Sequence, residues 1–451
     1  MKKQLLLWSV TASLAGFLFG FDTVVISGAE QKIQSLWELD SLTHGLCMSA
    51  ALWGTLLGAI FGGWPTERLG RRPTLIGVGL LYFVSAVWSG VAGGPISFMA
   101  ARFIGGVGVG IATVASPLYI SEISPPKSRG RLAGMFQFNI VFGILVAFLS
   151  NYLIGKFMDA EVAWRWMLGV AALPSLAYTA MCFVIPESPR WQIVHAGRRD
   201  AAADVFRGAN PHFSESEIQS LVDSVEASAA GTAGSAKFFT TRLRVPILLA
   251  FLIAFFNQLS GINAVLYYAP RIFEWTGLGQ DAARLQTVGI GATNLIFTFV
   301  GLWLIDRLGR RTLLVVGSLG YIASLGVCAW AFSAGSYGVV PVCIFAFIAA
   351  HAVGQGAVIW VFISEIFPNR NRAAGQALGS STHWLFAALL TLVFPKMAES
   401  LAPAVIFGFF CGMMVLQLVW VLVAVPETKG VPLEEMQARM DAGRSPNAGE
   451  G

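Results

Sequence analysis

The chain has 451 residues, 55% of them apolar and only 12% charged, and its mean hydropathy is +0.67. A soluble domain carries about twice that charged fraction, so the composition excludes an ordinary soluble domain and points to a lipid bilayer. The formal net charge of +5 and the pI near 9.0 trace to loops between apolar stretches and give no support to nucleic-acid binding.

Apolar stretches close to the roughly 20 residues that cross a hydrocarbon core recur along the chain. The first, 5–28, follows Met-Lys-Lys directly and is expected to remain as a span, with its start left inside. Further spans are expected at 44–64, 73–93, 96–122, 132–155 and 163–185. A polar, mixed-charge segment, 186–243, then interrupts the series and contains Ala-Ala-Gly-Thr-Ala-Gly-Ser. Spans resume at 245–270, 284–305, 312–333, 338–366, 374–396 and 401–425, and a short polar tail follows Pro426. The expected domains are an N-terminal six-helix bundle (1–190), a cytoplasmic connection with short amphipathic helices (191–243), a second six-helix bundle (244–430) and a cytoplasmic tail (431–451). Cys47, Cys182, Cys328, Cys343 and Cys411 lie in or beside apolar segments without CxxC spacing, which suggests neither a disulfide framework nor a metal site.

Charge placement sets the expected orientation. Arg68, Arg71 and Arg72 follow the second span, Lys127, Arg129 and Arg131 the fourth, Arg307, Arg310 and Arg311 the eighth, and Arg370 and Arg372 the tenth. The alternate loops are richer in acids: Glu30, Glu38, Asp40, Asp159, Glu161, Glu274, Asp281 and Glu399. Lys and Arg concentrate on the cytoplasmic side, so both termini are expected inside.

An internal repeat follows about 240 residues on. Arg68-Leu69-Gly70-Arg71-Arg72 returns as Arg307-Leu308-Gly309-Arg310-Arg311, Ser121-Glu122-Ile123 as Ser364-Glu365-Ile366, and Pro186-Glu187-Ser188 as Pro426-Glu427-Thr428. Each copy falls at the same end of the corresponding span. The expected fold is therefore an all-α membrane protein of twelve transmembrane helices in two pseudo-symmetric six-helix bundles; channels can also be duplicated, but paired halves around a midplane site are a common transporter design.

Some residues stand out against this background. Asp22 lies inside an apolar span, where an ionised side chain costs a few kcal/mol or more; it is either a helix-end charge reaching water or half of a buried pair. Arg102, in the fourth span, is either an interface anchor or the other half. Gln137, Gln258, Asn263 and Asn294 are amides in apolar helices, which serve as interhelical glue or as hydrogen-bonding groups for a polyhydroxylated solute. The glycines of 105–110 lack a preceding strand and a Gly-Lys-Ser/Thr, so close helix packing explains them better than phosphate binding. No catalytic triad, metal-ligand spacing or ATP-binding motif can be assembled, so no enzyme and no cofactor are expected, and energy must come from a solute or ion gradient.

These features together resemble the sugar porter family of the major facilitator superfamily, over residues 5–432. The matching stretches are Gly20-Phe21-Asp22-Thr23-Val24-Val25-Ile26-Ser27-Gly28, both Arg-Leu-Gly-Arg-Arg motifs, Pro186-Glu187-Ser188-Pro189-Arg190, Gln258-Leu259-Ser260-Gly261-Ile262-Asn263 and Pro426-Glu427-Thr428-Lys429-Gly430. The resemblance implies that Asp22 couples a proton to transport with Arg102 as its partner, the proton being a co-transported ion. It implies sugar contacts from Gln137, Asn257, Gln258, Asn263, Asn294, Trp360, His383 and Trp384, with Tyr267 and Tyr268 covering the outer side. It also implies that Arg71, Glu122, Arg131, Glu187, Arg310, Glu365, Arg372 and Glu427 form a cytoplasmic gate network.

Several positions depart from the family pattern. Asn257 replaces a Gln, His383 a Gln or Asn, His351 an aromatic and Glu67 an Asp, while Ile144 stands where glucose facilitators carry Ile. The expectation is a sugar:proton symporter importing a monosaccharide, with Ile144 leaning toward a hexose, in a bacterial cytoplasmic membrane. A facilitative uniporter, a polyol or cyclitol carrier and a transporter-like nutrient sensor are the alternatives. The expected partners are the sugar and the lipid bilayer, with the chain acting as a monomer.

Overall fold

The computed structural model describes residues 3–230, 238–368 and 370–430. Among them every regular element is helical and no strand occurs. The chain forms two compact units, Met1–Ser235 and Ala236–Gly451, and the division falls inside the segment 186–243. The tail 431–451, most of the Ala-Ala-Gly-Thr-Ala-Gly-Ser stretch and the side chains of Lys127 and Arg129 lie outside the described residues.

In the first unit α1 (Lys3–Val25) runs through a 3-10 turn into α2 (Glu30–Leu36), followed by α3 (Ser41–Phe61), α4 (Gly63–Arg68), α5 (Arg71–Val91), α6 (Pro95–Ile123), α7 (Pro126–Phe157), α8 (Ala160–Gly169) and α9 (Ala172–Cys182). The second unit has α13 (Arg244–Leu259), α14 (Ile262–Tyr267), α15 (Ala269–Glu274), α16 (Gln280–Leu308), α17 (Arg310–Ser333), α18 (Val340–His351), α19 (Ala357–Ile366), α20 (Arg372–Ser400) and α21 (Pro403–Ala424). Between the two sets lie α10 (Pro189–Val194), α11 (Arg199–Ala209) and α12 (Glu215–Ala230). Among the described residues, eleven helices are long and apolar enough to cross a membrane.

The sixth expected span differs from the sequence reading because it is broken into α8 and α9. Pro174 has no N–H to give the carbonyl of Val170, which instead accepts from Leu173 N at 3.1 Å in a tighter turn. Each piece is then shorter than a bilayer crossing.

Apolar side chains cover both sides of these helices. Leu75, Val78, Val109 and Tyr119 pack a core within the first unit, and Leu249, Ile253, Leu313 and Phe362 one within the second. Meanwhile Ile96, Leu173, Val342 and Val423 stand well exposed, the surface expected of helices that face lipid. The glycine run of α6 does pack closely: a Cβ on Gly106 or Gly110 would strike the α3 backbone at Ala51 or Thr55. Helices α10–α12 bury their own small core of Ile193, Phe206, Ile218 and Val222 and carry surface pairs such as Arg199 with Asp223 and Glu226. They belong to the first unit, where Gly208 lies against the ring of Trp8 on α1.

Candidate functional site

Asp22 on α1 and Arg102 on α6 are both buried and they meet. Arg102 Nη1 donates to Asp22 Oδ1 at 2.5 Å and Nη2 donates to Oδ2 at 3.2 Å and to the Asp22 backbone carbonyl at 3.0 Å. This excludes a helix-end charge reaching water. Arg102 Nε is buried without a hydrogen-bond partner, as are the hydroxyl of Tyr82 and Oγ of Ser85 on neighbouring α5. Desolvation in a buried pair is offset only while the partners stay together.

The second cluster is built by a break in the chain. The helix stops at Ser260 and Gly261, where Gly261 has φ +87°, and α14 starts again at Ile262. Ser260 Oγ donates to the Asn257 carbonyl at 2.7 Å and accepts from Ile262 N at 3.3 Å, so the break is satisfied locally. Amides from both sides then converge. Asn263 Nδ2 donates to Gln258 Oε1 at 2.6 Å, and Gln258 Nε2 donates to Asn257 Oδ1 at 2.9 Å. Gln258 Nε2 also lies 3.1 Å from His383 Nδ1 and 3.2 Å from His383 Nε2, so one of the two ring nitrogens accepts from the amide. The His383 ring lies 5.3 Å from that of Trp360 and 4.8 Å from that of Trp384.

The structure thus brings together Asn257, Gln258, Asn263, Trp360, His383 and Trp384. Tyr267 is buried at the end of α14, and Tyr268 is fixed on α20 by its hydroxyl bond to the Thr391 carbonyl at 3.0 Å and by stacking on Phe394. Asn294 on α16 and the half-buried Gln137 on α7 make no side-chain hydrogen bond to the described residues. His351 at the end of α18 holds the hydroxyl of Tyr321 at 2.6 Å.

The repeated motifs meet in a third arrangement, once in each unit. Arg71 forks onto Glu122, with Nε and Nη2 each at 2.9 Å, and Arg310 forks onto Glu365 at 3.0 and 2.9 Å. Ser188 Oγ completes the first acid at 2.5 Å and Thr428 Oγ1 the second at 2.6 Å. Glu187 accepts from the backbone N–H groups of Arg71 and Arg72, and Glu427 from those of Arg310 and Arg311, at the starts of α5 and α17. A helix N-terminus favours such an anion. Gly70 and Gly309, at φ +102° and +91°, admit these carboxylates, which a Cβ at either position would strike. Among the described residues, neither Arg131, which is exposed, nor Arg372, whose Nε is buried without a partner, forms an ion pair within its unit.

Buried pairs, a break that converges amides and twin charge clusters are transporter features, and the comparisons agree. The model of the family described as Sugar (and other) transporter matches residues 8–440. The chain belongs to the sugar porter family of the major facilitator superfamily. It is a multi-pass membrane transporter and not an enzyme. The arabinose-proton symporter of Bacillus subtilis is 33% identical over 441 residues, covering 96% of this chain and 94% of the relative. The glucose transporter GlcP of Staphylococcus epidermidis is 33% identical over 442 residues, covering 97% of each chain. The solved partially occluded inward open conformation of the xylose transporter XylE from E. coli superposes with a TM-score of 0.86 at 30% identity, covering 96% of this chain and 100% of that one.

Two features of this sugar porter escape sequence reading. Glu30, read as an outer-loop acid, is completely buried on α2, with Oε1 3.1 Å from Nε2 of equally buried His44 on α3. The reason is local: the chain continues helically past Gly28 instead of entering a loop. Gln355 and Gln417 are also wholly buried and bonded to each other at 3.0 Å. Their signal was available, since each is an amide in an apolar span, as Gln258 is.

Proposed function

We propose that this sugar porter is a sugar:proton symporter that imports a monosaccharide by alternating access. The observation that carries this reading is the buried Asp22–Arg102 pair, which provides a carboxylate able to exchange its Arg partner for a proton. The unit 2 cluster of Asn257, Gln258, Asn263 and His383, with Trp360 and Trp384, suits a ring that offers hydroxyls at its edge and C–H groups on its face. Gln137, Asn294 and Tyr267 complete the proposed sugar contacts, and the twin charge clusters with Arg131 and Arg372 are the proposed cytoplasmic gate. The proposed cargo is a hexose: Ile144 is buried on α7, and one of the relatives is a glucose transporter. The placement of Lys and Arg supports both termini inside, the bacterial relatives support a bacterial cytoplasmic membrane location, and the chain is proposed to work as a monomer.

Uptake of labelled glucose and xylose into proteoliposomes, with and without an inward proton gradient, tests this. Asp22→Asn should abolish accumulation against a gradient while sustaining counterflow exchange. Accumulation that persists in Asp22→Asn removes Asp22 from coupling. Wild-type uptake indifferent to the proton gradient makes the protein a facilitative uniporter.

A further inference from the structure

A line of side-chain hydrogen bonds leaves the amide cluster and crosses the second unit. Asn257 Nδ2 donates to Gln355 Oε1 at 3.5 Å, Gln355 Nε2 to Gln417 Oε1 at 3.0 Å, and Gln417 Nε2 to Ser318 Oγ at 2.8 Å. Ser318 Oγ in turn donates to the backbone carbonyl of Leu314 at 2.7 Å. Together with Asn263→Gln258 and Gln258→Asn257, this makes six side chains in series, running from α14 through α13 and α21 to α17. Gln258, Gln355, Gln417 and Ser318 are completely buried and Asn257 nearly so.

The bonds all run one way, and chemistry at one end dictates this. A serine hydroxyl has a single hydrogen. With that hydrogen given to Leu314, Ser318 Oγ can only accept, so Gln417 must turn its NH2 toward Ser318 and its carbonyl toward Gln355. The same constraint passes to Gln355, Asn257, Gln258 and Asn263, since an amide reversed anywhere would set donor against donor or acceptor against acceptor in a dry interior. Each such mismatch leaves a buried polar group unsatisfied, which costs more than the hydrogen bond it replaces contributes. The far end of the line is Asn263 Oδ1, an acceptor.

Two local devices support the line. Residues Ala352–Gly356 form a π-helical turn, whose extra residue re-aims the side chains on it, and Gln355 sits there. Beside it Gly354 lies so close to Gly317 that a Cβ on either would meet the other's Cα at 2.8 Å. That contact brings Ser318 of α17 up to the same level.

We propose that Ser318, Gln417 and Gln355 are positioning residues that fix which way the sugar-site amides face, and so make Asn263 Oδ1 an acceptor for a sugar hydroxyl. The inference rests on the reading of Asn257, Gln258 and Asn263 as sugar contacts. A bare packing role for the buried amides would stabilise the unit without selecting between donors and acceptors on the ligand.

The test is titration calorimetry of the purified full-length protein with D-glucose and with its monodeoxy and monofluoro analogues, since fluorine accepts weakly but cannot donate. In the wild type, at one ring position, both replacements should weaken binding alike, marking a hydroxyl that donates to Asn263. Gln417→Leu and Ser318→Val should weaken glucose binding roughly tenfold and flatten that position's penalty. Ser318→Thr, which has the shape of Val but keeps the hydroxyl, should restore both. A uniform loss across all analogues, or equal behaviour of the Thr and Val variants, overturns the proposal in favour of packing. Gln258→Ala separates the two readings. Unchanged glucose affinity there means the site reading has failed, whereas lost affinity there with an unaltered Gln417→Leu means that only the relay has failed.

Discussion

Glu187 and Glu427 occupy matched places, yet their carboxyls shift in opposite directions. Burial raises the pKa of Glu187, outweighing the lowering by N–H groups of Ser188, Arg71 and Arg72. Glu427 is also desolvated, but N–H groups of Lys429, Arg310, Arg311 and Thr428 prevail and hold it below the usual carboxylate value. Linkage then sets the signs. The lowered Glu427 contributes stability that is present above the unfolded-state pKa and lost as pH falls through its folded value. The raised Glu187 favours the folded state in its protonated form, an advantage present below the unfolded-state pKa and lost as pH rises through the folded one. Glu427→Gln should therefore lower the thermal unfolding midpoint more than Glu187→Gln at about pH 7, and the gap should narrow toward about pH 4. Equal losses at both pH values would remove the distinction. At this scale legibility followed contrast with surroundings: Asp22 was visible because an acid within a long apolar run stands out against it. Glu30 was invisible because it follows Gly28 and precedes Gln31 and Lys32, where a loop is the natural reading.

Helix limits were legible wherever hydropathy changed sharply and illegible wherever the backbone broke inside an apolar run. The Ser260–Gly261 break, the Pro174 break and the π-helical turn at Ala352–Gly356 leave hydropathy nearly untouched, yet they decide where side chains point. The repeated Arg-Leu-Gly-Arg-Arg, Ser-Glu-Ile and Pro-Glu-Ser/Thr motifs were plain in the sequence. Their meeting within each unit was expected only through the family resemblance, because a long-range contact between α6 and the segment after α9 has no local signature. The Ser260–Gly261 break yields a direct expectation. At φ +87° a side chain costs about 1–2 kcal/mol, and a Cβ on Gly261 would also press on the ring of Phe410. Gly261→Ala should thus lower stability by at least that amount and, by shifting Asn263 away from Gln258, abolish measurable sugar binding. Calorimetric unfolding and sugar titration on one preparation check both, and wild-type binding in Gly261→Ala would show that the break does not position the amides.

The whole molecule is one plan carried out twice, with the same Arg–Glu fork, hydroxyl and capping carboxylate in each unit. A carrier that alternates between two states needs them within a few kcal/mol of each other, so interactions that hold one state must be numerous enough to matter and weak enough to break. An exposed ion pair is worth about 0–1 kcal/mol. Glu122 is better placed than that, since it accepts from both Arg71 and Ser188, and Glu365 accepts likewise from Arg310 and Thr428. Removing the charge of either acid leaves an Arg fork without its anion and should favour whichever state lets that Arg reach water. Because the clusters match, Glu122→Gln and Glu365→Gln should impair net uptake to a similar degree, while sugar titration still registers binding. The change of state can be followed by distance measurements between spin labels at the ends of α6 and α19 that carry these acids. Shifted distributions with binding retained support a role in the facing equilibrium. Distributions identical to wild type, alongside lost uptake, would assign the clusters to the folding of each unit alone. A loss confined to one of the two variants would mean that the matched geometry does not translate into matched function.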